Sequence, residues 1–209
     1  MVVRLDDKVA LVTGSGQGIG AAIALYLGRQ GAKVVINYAK SAESANDVVQ
    51  AIKGLGSDAI AIQADVSKAP QMVRLFEEAV GHFGKLDIVC SKSGAVSFDH
   101  PKDQEEEFDQ VFNIFTRGPF FLAQQAHKHL SVGGRIILIT PKTADSVSVP
   151  QRAVYSASKA AIFAAVSVLS KEYSKNKITI NIISLSDTDT VSITLLNAEN
   201  PTKDDILNV

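Results

Sequence analysis

Six short apolar, β-branched runs separated by longer amphipathic segments predict a Rossmann-type, doubly wound α/β fold with a parallel sheet. The runs occupy positions 9–13, 33–37, 59–63, 86–90, 135–140 and 179–184. They are almost continuously apolar, the pattern of strands covered by helices on both faces. Between them the periodicity predicts helices near 18–30, 42–54, 68–83, 103–130 and 151–174. Right-handed crossovers between successive strands then give the order 3-2-1-4-5-6 for about six strands. No linker, repeat or low-complexity stretch divides residues 1–209, which read as a single domain. Beyond position 184 the sequence turns polar and aperiodic, so 185–209 is expected to be an irregular tail.

A chain of 209 residues suffices for one well-buried domain. With 46% hydrophobic residues, 21% charged residues and a formal charge of −1, it carries no electrostatic signature of a nucleic-acid or membrane-surface binder. No apolar run approaches the roughly 20 residues that cross a bilayer. Asp6 and Asp7 stand where a secretory leader would place its apolar stretch, and Cys90 is the only cysteine. Both observations fit a reducing, cytoplasmic setting. Cys90 ends a buried strand and reads as a small core hydrophobe. His82, His100, His127 and His129 lack ligand spacing, so no metal is expected.

The first strand runs into Thr13-Gly14-Ser15-Gly16-Gln17-Gly18-Ile19-Gly20 and then an alanine-rich helix. A bare glycine pattern is weak, but one that follows a strand and opens a helix is stronger. Glycines allow the tight turn and let backbone N–H groups approach a pyrophosphate, whose charge is favoured at the helix N-terminus. Gly14, Ser15, Gln17, Gly18, Ile19 and Gly20 are therefore candidate cofactor contacts. The second strand ends Asn37-Tyr38-Ala39-Lys40-Ser41 without the acidic residue that binds the ribose of NAD. Lys40 with the Ser41 hydroxyl can instead receive a 2′-phosphate, which favours NADP(H) over NAD(H). The competing reading is a solvated lysine beside a Ser41 helix cap. Asp65, followed by Val66, ends the third strand, where its carboxylate can accept from an adenine amino group or cap the next helix.

The glycine loop, the Tyr155-x-x-x-Lys159 pair and Ile178-Thr179-Ile180-Asn181 together resemble the short-chain dehydrogenase/reductase family. Asn37-Tyr38-Ala39, Gly84-Lys85-Leu86-Asp87, Glu107-Phe108-Asp109, Thr116-Arg117-Gly118 and Val149-Pro150 are similar, more narrowly, to fungal hydroxynaphthalene reductases and related polyketide ketoreductases. The resemblance implies hydride transfer between a nicotinamide and a carbonyl or alcohol, with Tyr155 as general acid/base and Lys159 as its electrostatic partner and ribose ligand. Spacing i, i+4 puts the two on one helix face. It also implies cofactor contacts at Ser91 and Gly94 of the Ser91-Lys92-Ser93-Gly94 turn and at Thr190. Homodimers or homotetramers formed through helices 103–130 and 151–174 are implied too.

The sequence departs from the family pattern around one pocket. The serine that hydrogen-bonds the substrate oxygen falls on Pro141, which cannot donate. Thr140, Thr143 and Ser146 are the hydroxyls nearby. The helix asparagine that supports a kink and a proton relay falls on Phe115, which can fill space but relays no proton; Pro119 can keep the kink. Lys92 replaces an asparagine, Leu185-Ser186 replaces Pro-Gly, and the family's last helix and strand have no counterpart. Three functions stay open. The first is an NADP(H)-dependent reductase of a small aromatic, polyketide-type substrate. The second is a non-redox acid/base enzyme using Tyr155 and Lys159, an isomerase, dehydratase or cyclase. The third is an inactive relative with a binding or regulatory role.

Overall fold

A computed structural model describes residues 4–92, 104–141 and 153–185. Six parallel strands stand in the order β3-β2-β1-β4-β5-β6. They are β1 (Val9–Thr13), β2 (Lys33–Tyr38), β3 (Ala59–Gln63), β4 (Ile88–Ser91), β5 (Arg135–Pro141) and β6 (Thr179–Leu185). Helices α1 (Gly18–Arg29) and α2 (Ala42–Gly54) cover one face; α3 (Ala69–Phe83), α5 (Gly118–His129) and α6 (Ala153–Tyr173) cover the other. Each face has its own core. Ala10, Val12, Val34 and Ile36 pack toward α1 and α2, whereas Leu11, Val35, Val89 and Ile136 pack toward α3, α5 and α6. All five residues of β1 are buried, which is what a strand between two helical layers requires.

Strands β2, β5 and β6 each run one residue past the expected bound, so Leu185 belongs to β6 and not to the tail, and two elements differ by more. Strand β4 begins at Ile88 instead of position 86. Asp87, only 8% exposed, spends its carboxylate on the Val9 N–H at 2.9 Å and on the ammonium of Lys85 at 3.2 Å, so side-chain bonds fix the approach to the strand. The single helix expected over 103–130 is broken into α4 (Gln104–Phe112), a π-turn (Asn113–Arg117) and α5. There the Gly118 N–H reaches the Asn113 carbonyl, a five-residue step. Pro119 follows and has no N–H to continue an ordinary ladder.

By length and composition α6 is apolar enough to cross a bilayer, contrary to the reading that no segment is. Its stripe of Ile162, Val166, Leu169 and Tyr173 is instead buried against β5, β6 and α5. Cys90, 2% exposed, packs in the α1/α2 core as expected, and burial pushes its thiol up to about 12.

The carboxyl ends of β1, β2 and β3 are tied by one side chain. Asn37, 2% exposed, accepts from the Gly14 N–H at 3.3 Å and donates to the carbonyls of Ile62 (3.3 Å) and Ala64 (3.0 Å). Removing it takes the side-chain partner from the buried Ile62 and Ala64 carbonyls, each worth about 1–3 kcal/mol, and from the part-buried Gly14 N–H. Asn37→Leu is therefore expected to lower unfolding free energy in urea by at least about 2 kcal/mol. A variant within about 0.5 kcal/mol of wild type would contradict this assignment.

Candidate active site and cofactor cleft

The loop after β1 is shaped by backbone requirements. Gly14 and Gly18 adopt φ of +61°, a left-handed geometry that glycine takes without strain. A Cβ on Gly20 would lie 2.3 Å from the Gly14 carbonyl oxygen, so no side chain fits there. Gln17 is the N-cap residue of α1 but makes no side-chain cap bond, which leaves the first-turn N–H groups of Gly18, Ile19 and Gly20 directed at the loop mouth. This is a cradle for an anion at a helix N-terminus. Ser15 is fully buried, its hydroxyl donates to the Val12 carbonyl at 2.7 Å and its N–H to the Asn37 carbonyl at 2.9 Å, so it braces the loop and offers no donor to a ligand.

A cleft of about 540 Å³ opens beside the loop. Of the residues expected to hold a cofactor, Gly14, Asn37, Ala39, Lys40, Asp65 and Val66 line it. Asn37 contributes shape, since its side-chain bonds go to the protein. Lys40 is exposed at the rim, and Ser41 is the N-cap residue of α2 without a side-chain cap bond, so the competing cap reading loses its hydrogen bond. Asp65 accepts from both the N–H (3.0 Å) and the hydroxyl (2.6 Å) of Ser67. The Ser67 hydroxyl bond, helped by Lys68 and Lys40, holds its carboxyl below the usual range and keeps it an acceptor. Tyr38 packs against the α1/α2 core, and Ser91 is buried at the end of β4. Gly94 and Thr190, like Thr143 and Ser146, lie outside the described residues.

The far wall was not foreseen. Gln110, Asn113, Ile114 and Gly118 line the cleft because the π-turn swings the end of α4 over it. Pro119 was the only signal for this, and it gives the break without its direction. The same turn touches the second half of the site. Phe115, 6% exposed, meets the Tyr155 ring edge to face, centroids 5.0 Å apart at 85°. The Lys159 ammonium sits 4.1 Å from the centre of the Phe115 ring and 5.4 Å from that of Tyr155. Thr116 fastens the turn to α6 by donating to the Ser158 carbonyl at 2.8 Å. Phe115 thus does more than fill space. Its ring face supports a desolvated cation, an interaction worth about 2 kcal/mol.

Tyr155 and Lys159 are 5% and 4% exposed and share the face of α6 turned to this turn. Burial, with the nearby charge of Lys92 adding to it, brings the Lys159 ammonium down to about 8. Burial lowers Lys92 as well. On β5, Thr140 is 4% exposed and its hydroxyl has no hydrogen-bond partner among the described residues. It lies two residues beyond Leu138 and four beyond Ile136, so it shares their face, the side of the sheet that carries α6. Pro141 pairs in register with Leu185 and has neither hydroxyl nor N–H.

A glycine cradle at a helix N-terminus and a cleft at the carboxyl ends of parallel strands, with a buried Tyr/Lys pair nearby, define a dinucleotide-binding protein of the doubly wound class. Residues 8–201 match the short chain dehydrogenase family, and the chain belongs to it. It is 58% identical over 188 residues to a short-chain dehydrogenase/reductase of Pestalotiopsis microspora, covering 90% of this chain and 71% of the relative. It is also 58% identical over 181 residues to a probable tetrahydroxynaphthalene reductase of Zymoseptoria tritici, covering 86% and 68%. Among solved structures, a Burkholderia cenocepacia short chain dehydrogenase in complex with NADP superposes with a TM-score of 0.80 at 38% identity, covering 90% of this chain and 77% of that one.

The depressed Lys159 makes stability depend on pH. The unfolded chain keeps its lysine near 10.5, so between about 8 and 10.5 it binds more protons than the folded one, and stability rises with pH across that window. Below about 8 the buried charge is fully present and its cost is greatest. Lys159→Met is expected to raise Tm at pH 7, with a gain that shrinks as pH climbs toward 10.5. A gain that is absent at pH 7, or constant with pH, would overturn the buried-cation description.

Proposed function

We propose that this protein is an NADP(H)-dependent reductase acting on the carbonyl, or in reverse the alcohol, of a small aromatic substrate of polyketide type. The observation that carries this reading is the π-turn with two occupied sides. Asn113, Ile114 and Gly118 wall the cofactor cleft, while Phe115 holds Tyr155 and Lys159. The turn thereby couples the cradle to the acid/base pair. When bound, a reduced nicotinamide supplies the two electrons and hydrogen that convert a carbonyl to an alcohol. The protein's part is to deliver the proton. Tyr155 hands its phenolic proton to the substrate oxygen, and the Lys159 cation stabilises the phenolate left behind. Lys40 with the Ser41 hydroxyl supports a 2′-phosphate, hence NADP(H) over NAD(H). The likeness to a reductase acting on a hydroxylated naphthalene skeleton supports the substrate class.

With Pro141 unable to donate, the Thr140 hydroxyl supplies the hydrogen bond to the substrate oxygen, since it is buried on the α6 side without a partner among the described residues. Pro141 also favours a second reading, in which Tyr155 and Lys159 serve a non-redox isomerisation, dehydration or cyclisation.

Turnover decides between them. With NADPH and a panel of hydroxylated aromatic ketones, loss of nicotinamide absorbance is expected, reduced about 10²–10³-fold in Thr140→Val and at least as far in Tyr155→Phe. NADPH should raise Tm more than NADH at equal concentration, because a ligand of the folded state stabilises in proportion to occupancy. Tyr155-dependent product without NADPH consumption would support the non-redox reading. No Tm shift with either nucleotide would reject the reductase reading.

For the assembly we propose pairing through α4, α5 and α6, which expose Phe108 (47%), Phe121 (37%), Phe163 (39%) and Val168 (58%). Large apolar groups distributed over one helical layer are costly to leave in water. Sedimentation at micromolar concentration is expected to give a dimer or tetramer, and Phe163→Glu a lighter species. A wild-type monomer would contradict the proposal.

A further inference from the structure

The far wall of the cleft carries polar side chains to which no task has been given. Gln110, Asn113, Ile114 and Gly118 line it. In an unbroken helix the stripe that starts at Gln110 continues through Asn113 and Ile114 to Arg117. The extra residue of the π-turn puts Gly118 there instead. A Cβ on Gly118 would lie 4.0 Å from the Val66 carbonyl oxygen, so the two walls close on each other at this end. Arg117, turned off the stripe, braces the far wall by donating to the Ser67 carbonyl at 3.3 Å. The polar side chains left on that wall are two exposed carboxamides, Gln110 and Asn113. Neither carboxamide makes a hydrogen bond among the described residues. On the opposite wall the Ser67 N–H and hydroxyl both go to Oδ1 of Asp65. Its Oδ2 has only the Lys68 ammonium at 3.8 Å, beyond hydrogen-bond reach, and is left to accept.

One cavity thus sets two amides across from a carboxylate, with Ile114 and Val66 as apolar surface between them for a flat ring. A carboxamide offers an acceptor and a donor side by side. An aminopurine presents an exocyclic N–H beside the acceptor nitrogen N7, the complementary pair by which Asn and Gln read adenine. An oxopurine presents two acceptors at the same edge, and turning the amide satisfies only one of them. The amino group's second N–H suits the Asp65 oxygen, which an oxo group would meet with lone pairs. We infer that Gln110 and Asn113 form a base-reading clamp against Asp65, selecting an aminopurine nucleotide over an oxopurine one. Asp65 contributes one hydrogen bond to that choice, and an amide pairing with both atoms of the edge adds two. This rests on the nucleotide reading of the cleft and adds the residues of this chain that choose the base.

Calorimetric titration with NADPH and with its analogue carrying hypoxanthine in place of adenine tests the clamp. Wild type is expected to bind NADPH at least about tenfold more tightly, the scale of one two-point base contact. The double variant Gln110→Leu/Asn113→Leu keeps helix-forming residues at both positions and is checked for folding by its Tm. It should bind NADPH at least about fivefold more weakly and shrink the preference at least about threefold, leaving what Asp65 supplies. A general loss of shape would weaken both nucleotides alike, so the ratio between them reports base reading. No preference in wild type, or one unchanged in the double variant, would overturn the inference. Adenosine 2′,5′-bisphosphate, titrated in parallel, separates the clamp from the reductase reading because it has no nicotinamide. Should it bind wild type more tightly than the double variant while NADPH fails to bind, the clamp stands and the reductase reading falls. Equal binding of NADPH by both proteins would sink the clamp and leave the reductase reading in place. Failure of every nucleotide to bind would sink both.

Discussion

The short bridge from Asn37 to the glycine loop is the constraint on which the site depends. Three strands end at the same edge, and one buried amide accepts a hydrogen bond from the Gly14 N–H while donating two to the carbonyls of Ile62 and Ala64. Ser15 adds a second stitch, from its N–H to the Asn37 carbonyl at 2.9 Å. With the loop held from beneath, the absent side chain at Gly20 lets α1 start within van der Waals distance of the turn. The N–H groups of that first turn are then left for a guest. A loop free to relax would close on its own donors, so the cradle stays open because the protein has used other atoms to tie it.

The second half of the site is organised around the Phe115 ring, which touches both Tyr155 and Lys159. The π-turn survives because Pro119 denies the ladder an N–H and Gly118 accepts the close approach of the Asn113 carbonyl. Its ring then becomes the floor under the Lys159 cation. Burial beneath this surface, with the charge of Lys92 adding to it, leaves the ammonium's proton held less tightly. Phe115, Tyr155 and the depressed lysine pack together, and the Thr140 hydroxyl, without a partner among the described residues, faces the same α6-bearing side of the sheet.

Much of the fold was legible because burial speaks through residue type. Val9–Thr13 is apolar or β-branched along its whole length and Ala59–Gln63 along all but its exposed last residue, and their bounds were readable to the residue. Strand β4 was not, because Leu86 is as buried and apolar as a strand residue while Asp87 beside it redirects the hydrogen bonds. The cradle was legible from its glycines. The role of Asn37 was not, since a polar residue at a strand's carboxyl end has the same letters whether it faces a ligand or knits the backbone. The cleft wall from Gln110 to Gly118 was hidden for a further reason. A π-turn is set by tertiary packing and by a proline several residues downstream, and neither leaves a periodic trace. The contact between Phe115 and Lys159 joins residues 44 positions apart, beyond any local pattern.

The most direct test is a crystal structure of the protein with NADPH. The account predicts the diphosphate within hydrogen-bond reach of the backbone N–H groups at the start of α1, with Asn37 still bonded to Gly14, Ile62 and Ala64 and making no contact with the ligand. A nucleotide bound elsewhere, or one that takes over the Asn37 amide and lets the loop rearrange, would contradict it.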